Sequence, residues 1–83
     1  MKLFIISYDL HNQKDYQKLY DELNCLKAKS VLESTWCLIL EDNKTAKQIR
    51  DHLIRFIGSD DALMVSEVNT WASYNTINTP KDL

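Results

Sequence analysis

The sequence predicts one small α+β domain in which the elements follow in the order strand, helix, strand, strand, helix, strand. Three observations predict it. In two separate stretches the apolar residues recur at intervals of three and four, as they do in amphipathic helices. The other apolar runs are short and rich in β-branched or aromatic residues, which is typical of strands. The length of 83 residues allows a single domain.

The first strand and the first helix are predicted near the N-terminus. Residues 2–8, KLFIISY, form an apolar run too short for a stable helix, and they predict the first strand. We expect Asn12 to cap the helix that follows and Asp15 to lie in its first turn, where negative charge is favourable. The apolar face of this helix consists of Tyr16, Leu19, Tyr20, Leu23 and Leu26.

The middle of the chain predicts two strands close together. Residues 35–40 are strongly strand-like, and residues 29–33 predict a separate short strand. A bulge or a very tight turn near Ser34 must connect them, although no glycine marks it.

The second helix and the last strand complete the order. Thr45 can begin the helix, because its hydroxyl and Gln48 have the spacing of a capping box. Gly58 is placed where a left-handed residue would end the helix. Residues 62–68, ALMVSEV, then predict the last strand.

This order is the split βαβ, ferredoxin-like arrangement over residues 1–68, with an antiparallel sheet and two helices on one face. Residues 3–6 and 36–40 are apolar at both odd and even positions, which is typical of strands buried on both faces. Because two helices cover only one face, a second copy of the chain is the simplest cover for the other. We therefore predict a homodimer, and the C-terminal tail, residues 69–83, is a candidate to pack on the partner subunit.

Composition limits the function classes. The formal net charge is −2 and the pI is about 5.5, which weighs against a protein whose main work is coating nucleic acid. Cys25 and Cys37 form no C-x-x-C pair, and we interpret them as buried free thiols. No apolar run reaches the length of a membrane span, so we expect a cytoplasmic protein with no membrane partner.

A carboxylate, Asp9, follows the first strand directly and is the main candidate site residue. It could hold the following turn, or it could be one half of a metal site. Magnesium usually binds through one or two carboxylates together with water and phosphate oxygens. One Asp9 is a poor site alone, whereas a dimer would supply two.

Other polar residues could support Asp9. Strand parity places Ser7 on the same face, where it could orient a metal-bound water or simply be a small interface residue. His11 could act as a general acid or base, or be an exposed loop residue. Ser34 and Thr35 could present hydroxyls beside Asp9 if the third strand neighbours the first, or they could serve only the local bulge.

Four short stretches resemble a known superfamily. They are ISYDL (6–10), LESTW (32–36), IRDHL (49–53) and FIGSDDALMVSEV (56–68). With the element order of residues 1–68, they resemble the second CRISPR-associated protein family and the virulence-associated protein D group. The similarity is closest to short members of that superfamily, some of them labelled SinR-like.

The resemblance implies a homodimer in which the first-strand aspartates, here Asp9, approach across the two-fold axis. In active members of the superfamily these aspartates hold a divalent metal, which here would be Mg²⁺ or Mn²⁺, and cleave RNA or DNA. Other members bind DNA as structural adaptors without cleavage. The sequence thus leaves two alternatives open: a metal-dependent endonuclease, and a non-catalytic dimer that binds nucleic acid or a protein partner in a phage-defence or toxin–antitoxin setting.

Overall fold

The computed structural model describes residues 1–11 and 16–83. The strands are β1 (Lys2–Asp9), β2 (Lys29–Leu32), β3 (Thr35–Leu40) and β4 (Ala62–Val68), and the helices are α1 (Gln17–Cys25) and α2 (Ala46–Leu53). Short 3-10 turns follow at Ile54–Phe56 and Pro80–Asp82. Asn12 and Asp15, the residues predicted to cap α1 and to lie in its first turn, lie outside the described residues.

The four strands form one antiparallel sheet in the order β2-β3-β1-β4. β1 and β2 therefore lie on either side of β3, and β3 and β4 lie on either side of β1. This is the strand order of the split βαβ arrangement, so the predicted α+β, ferredoxin-like fold is confirmed.

Strand parity separates the two faces of the sheet. Phe4 and Ile6 are fully buried and Tyr8 is nearly so, because they point to the face on which α1 and α2 pack. The opposite face, called here the open face, carries the other residues of β1 and their cross-strand neighbours. These are Leu3, Ile5, Ser7 and Asp9 of β1, Thr35, Cys37 and Ile39 of β3, and Ala62, Met64, Ser66 and Val68 of β4.

The main core lies between the sheet and the helices. Helix α1 contributes Leu19 and Leu23 at a spacing of four, and α2 contributes Ile49 and Leu53 at the same spacing. The predicted apolar face of α1 is thus the face that packs, and the buried residues of α2 show the predicted interval of four. Burying an aliphatic side chain of this size stabilises the fold by about 1.5–3 kcal/mol.

The connection between β2 and β3 contains both features that the sequence predicted as alternatives. Glu33 and Ser34 form a two-residue connection between Leu32 and Thr35, which face each other. The register shifts between Ser30 and Leu32, which marks a bulge in β2. Neither connecting residue has a positive φ, and this explains why the turn needs no glycine.

The ends of α2 confirm one prediction and correct another. Thr45 accepts a hydrogen bond from the Gln48 N–H and the Gln48 side chain accepts one from the Thr45 N–H, so the predicted capping box is present. The prediction for Gly58 is wrong, because its φ is not positive. The helix instead tightens into the 3-10 turn, and Ile57 is extended. The Gly58 N–H donates to Asp61 Oδ2 at 2.7 Å.

The tail crosses the open face of its own sheet. The Ile77 N–H donates to the Val31 carbonyl at 2.9 Å, and Asn78 Nδ2 donates to the Ser30 carbonyl at 2.9 Å. Part of the cover predicted from a second copy is thus supplied within one chain. Packing of the tail on a partner, and the homodimer itself, stay predictions.

Both cysteines are free, as expected, but only Cys37 is buried. Cys25 is exposed at the end of α1, so the prediction of two buried thiols is wrong for it. Within residues 1–11 and 16–83, no helix has the length and apolar character required to cross a membrane.

Candidate functional site

Asp9 is the last residue of β1, the strand flanked by β3 and β4, and its side chain is exposed. It faces Ala62 at the start of β4, and a residue that small leaves the carboxylate open on that side. Ser7 lies two residues before it on the same face, at a Cα separation of about 7 Å set by the rise of a strand. The open face therefore presents an accessible carboxylate beside a hydroxyl.

The β1–β3 pairing brings the two predicted hydroxyl clusters together. Ser7 and Thr35 face each other in register, and their hydroxyl oxygens are 3.4 Å apart. Ser34 takes part through its backbone, because its carbonyl accepts the Tyr8 N–H at 3.1 Å. The structure thus groups Ser7, Thr35 and Asp9 on the open face, and it places Ser34 in the adjoining turn.

The turn after Asp9 is held by another carboxylate, which the sequence did not single out. The His11 N–H donates to Asp61 Oδ1 at 2.9 Å, and the Tyr16 hydroxyl donates to the same oxygen at 2.9 Å. Oδ2 of Asp61 accepts from Gly58, at the turn before β4. One side chain therefore links the segments before α1 and before β4, across as many as 50 positions of sequence.

A shallow depression of about 240 Å³ lies beside Asp9. Ser7, Asp9, Ala62 and Met64 contribute to its walls. Met64 is 63% exposed, and its side chain contributes an apolar wall to this depression. The surroundings of the carboxylate are thus partly apolar.

The strand is anchored behind Asp9 by an aromatic cluster on the helix side. Trp36 Nε1 donates to the Tyr8 hydroxyl at 3.1 Å, and the Tyr20 ring stacks on Trp36 at a centroid distance of 6.4 Å. Burial of the phenol is the main cause that raises the pKa of Tyr8. Because Tyr8 directly precedes Asp9, this packing fixes the end of β1 and hence the position of the carboxylate.

The described strand positions around Asp9 carry no positive charge, whereas Lys47 and Arg50 of α2 line a depression together with Met64. The positions of β1, β3 and β4 that point to the open face include no lysine or arginine. On α2, Lys47 and Arg50 both pair with Asp51, and these contacts hold the pKa of the Asp51 carboxyl below its usual value. On these strand positions, therefore, no side chain offsets the charge of a phosphate bound at Asp9.

One chain offers only part of a metal site. Among the residues that the structure describes, no group of three or more His, Cys, Asp or Glu side chains could hold a metal ion. Asp9 alone meets the lower limit of what Mg²⁺ takes from a protein, with water and phosphate as the remaining ligands. A second Asp9 from another copy would bring the site to two carboxylates, so among the described residues the donor set fits a divalent cation better in a dimer than in one chain.

No protein-family model matches the chain, and no solved structure is significantly similar to it. The resemblance to the second CRISPR-associated protein family stays a prediction.

Proposed function

We propose that the chain acts as a homodimer in which the Asp9 residues of two copies hold Mg²⁺ or Mn²⁺ and support cleavage of phosphodiester bonds in RNA or DNA. The supporting observation is that two carboxylates, Asp61 and Asp9, have different roles near this turn. Asp61, rather than Asp9, accepts the N–H of His11 in the turn, and the Asp9 carboxylate is left exposed on the open face. A carboxylate needed only as a turn former would accept those hydrogen bonds itself.

The surroundings of Asp9 suit a site completed by symmetry. Small Ala62 faces it, and the uncovered depression with Met64 offers apolar contact for a second copy. Two carboxylates brought together would repel, and a divalent cation between them would remove that repulsion. In this proposal, binding of the divalent cation therefore stabilises the dimer.

The bound cation would supply an activated water and an electrostatic clamp on phosphate oxygens. In this proposal the hydroxyls of Ser7 and Thr35 orient water beside the carboxylate. His11, two residues further along, is the candidate to exchange a proton with the leaving oxygen. The proposed setting is the cytoplasm.

The test is cleavage of labelled RNA and DNA by wild type, Asp9→Asn and Glu41→Gln, each with Mn²⁺, Mg²⁺ or EDTA. Asp9→Asn keeps the size and removes the charge, and Glu41→Gln removes an exposed charge elsewhere. We expect cleavage by wild type and Glu41→Gln with metal, and none by Asp9→Asn or with EDTA. Equal cleavage by wild type and Asp9→Asn would mean that the activity is not due to this site.

A second candidate is a non-catalytic dimer that binds a protein partner or nucleic acid in a phage-defence or toxin–antitoxin setting. The observation that favours a protein partner is the absence of outward lysine or arginine around Asp9 on β1, β3 and β4, together with exposed Met64. Nucleic-acid surfaces usually carry clustered positive charge. In this case EDTA would leave partner binding unchanged, and neither wild type nor Asp9→Asn would cleave nucleic acid.

A further inference from the structure

The sheet has a second, smaller buried cluster on its open face. Val31 and Cys37 are buried, but they do not belong to the core between sheet and helices. Cys37 faces Ile5 across the β1–β3 pair, which places it on the side away from α1 and α2. Its side chain is nevertheless completely buried. Something other than the helices must cover it.

The cover is the tail. Trp71, Thr76 and Pro80 of the tail enclose, together with Ile5 and Thr35 of the sheet, a depression of about 240 Å³. Further along, Asp82 lies close enough to contribute, after burial, to the raised pKa of the Cys37 thiol. The tail therefore lies across β1 and β3 and reaches the edge of the sheet at β2.

Few hydrogen bonds and few buried side chains hold the tail on the sheet. Within the described residues, its hydrogen bonds to the sheet are those from Ile77 to Val31 and from Asn78 to Ser30. Two of its apolar side chains bury little surface, because Tyr74 is 86% and Ile77 is 66% exposed. A segment with few buried contacts opens more readily than the core does.

The tail occupies part of the open face that a second copy would use. It lies over Ile5 and Thr35, whereas Ser7, Asp9, Ala62 and Met64 line a depression to which the tail does not contribute. A standard interface buries about 800 Å² per partner and involves roughly 20–30 residues on each side. Two copies could meet over such an area through this face only if the tail moved away.

We propose that the tail is an autoinhibitory strap, which closes the open face within one chain and must lift before a second copy can dock there. This inference rests on the proposed dimer and concerns its regulation. While the strap lies in place, the two Asp9 side chains are kept apart. When it lifts, Ile5, Cys37 and Ile39 become available as the apolar centre of the interface.

The first test measures the lifting of the strap through Cys37. In a Cys25→Ser background, Cys37 is the single thiol, and its reaction rate with a thiol reagent reports how often the face is uncovered. Ile77→Pro with Asn78→Ala removes both donors to β2, whereas Ile77→Ala retains the backbone donor and serves as control. Each hydrogen bond is worth about two- to tenfold in an equilibrium constant, so labelling should accelerate about tenfold or more in the double variant. A chain ending at Asn69 should label fastest.

The second test measures dimerisation of the same variants by sedimentation equilibrium. We expect the double variant and the shortened chain to dimerise more tightly than wild type and the Ile77→Ala control. If Cys37 were labelled at the same rate in the double variant and in the parent chain, the proposal would be wrong, because the tail would then not cover the face. Faster labelling with a weaker dimer would overturn it as well, and would show that the tail packs on the partner. Neither readout involves cleavage, so failure of the proposed nuclease would be seen separately.

Discussion

Replacing Asp61 tests how the turn after Asp9 is held. Its carboxylate accepts from the His11 N–H at 2.9 Å, the Tyr16 hydroxyl at 2.9 Å and the Gly58 N–H at 2.7 Å. Asp61→Ala removes both acceptor oxygens and with them all three hydrogen bonds. Asp61→Asn retains an oxygen for two of the donors but presents an amide group to the third.

The expected magnitude follows from the surroundings of each bond. The bonds from Tyr16 and Gly58 are partly buried, whereas the bond from His11 is exposed and water can replace it. Counting mainly the two partly buried bonds to a charged acceptor, Asp61→Ala should lower the free energy of unfolding by about 2–3 kcal/mol. For a domain of this size that corresponds to a fall in Tm of roughly 10–20 °C. Asp61→Asn should lose about half as much free energy.

Urea unfolding followed by tryptophan fluorescence measures the loss, and hydrogen exchange locates it. The His11 and Gly58 amides should exchange faster in Asp61→Ala, while those of β3 keep their relative protection. Glu41→Ala is the control at an exposed position, and it should change the free energy of unfolding by less than about 0.5 kcal/mol. If Asp61→Ala behaved like Glu41→Ala, Asp61 would not hold the turn, and Asp9 would regain that role.

Three further predictions concern stability. Lys27 has a φ of 62° in the position after the C-cap of α1, so Lys27→Gly should raise the free energy of unfolding in urea by about 1 kcal/mol and Lys27→Ala should not. The pKa of Tyr8 is raised by burial above its usual 10.0, so folding protects the neutral phenol and stability should fall as pH rises past 10. Tyr8→Phe should flatten that fall in urea unfolding followed across alkaline pH, whereas exposed Tyr74→Phe should not. His52 Nε2 and Glu22 Oε2 are 2.7 Å apart between α2 and α1, and a double-mutant cycle with glutamine at both positions should give a coupling of about 0.5 kcal/mol.

The fold could be predicted because its determinants are local or periodic. The capping box of Thr45 and Gln48 needs only a spacing of three, and the packed faces of α1 and α2 follow from apolar repeats. The bulge near β2 could be inferred because two strand-like runs leave too few residues for an ordinary loop. The prediction for Gly58 is wrong because a glycine directly after a helical pattern commonly ends the helix, whereas here its N–H donates to Asp61.

The site could be predicted only in part, because its remaining features depend on distant residues. Asp9 and Ser7 follow from the parity of one strand, and Thr35 follows once β3 is taken to neighbour β1. The role of Asp61 depends on contacts 45 and 50 positions away, and no spacing rule covers them. The path of the tail depends on one backbone donor and one amide, which leave no periodic pattern in the sequence.

The dimerisation of wild type and Asp9→Asn, compared in Mn²⁺ and in EDTA by sedimentation equilibrium, tests the central claim most directly. If two Asp9 carboxylates share a cation across the dimer axis, Mn²⁺ should tighten the wild-type dimer by about tenfold or more, because repulsion between the charges is replaced by attraction to the ion. Asp9→Asn should dimerise equally well in both conditions, since it has neither the repulsion nor the ligands. A wild-type dissociation constant that is the same in Mn²⁺ and EDTA, or an equal response of Asp9→Asn to Mn²⁺, would contradict the paired-aspartate site.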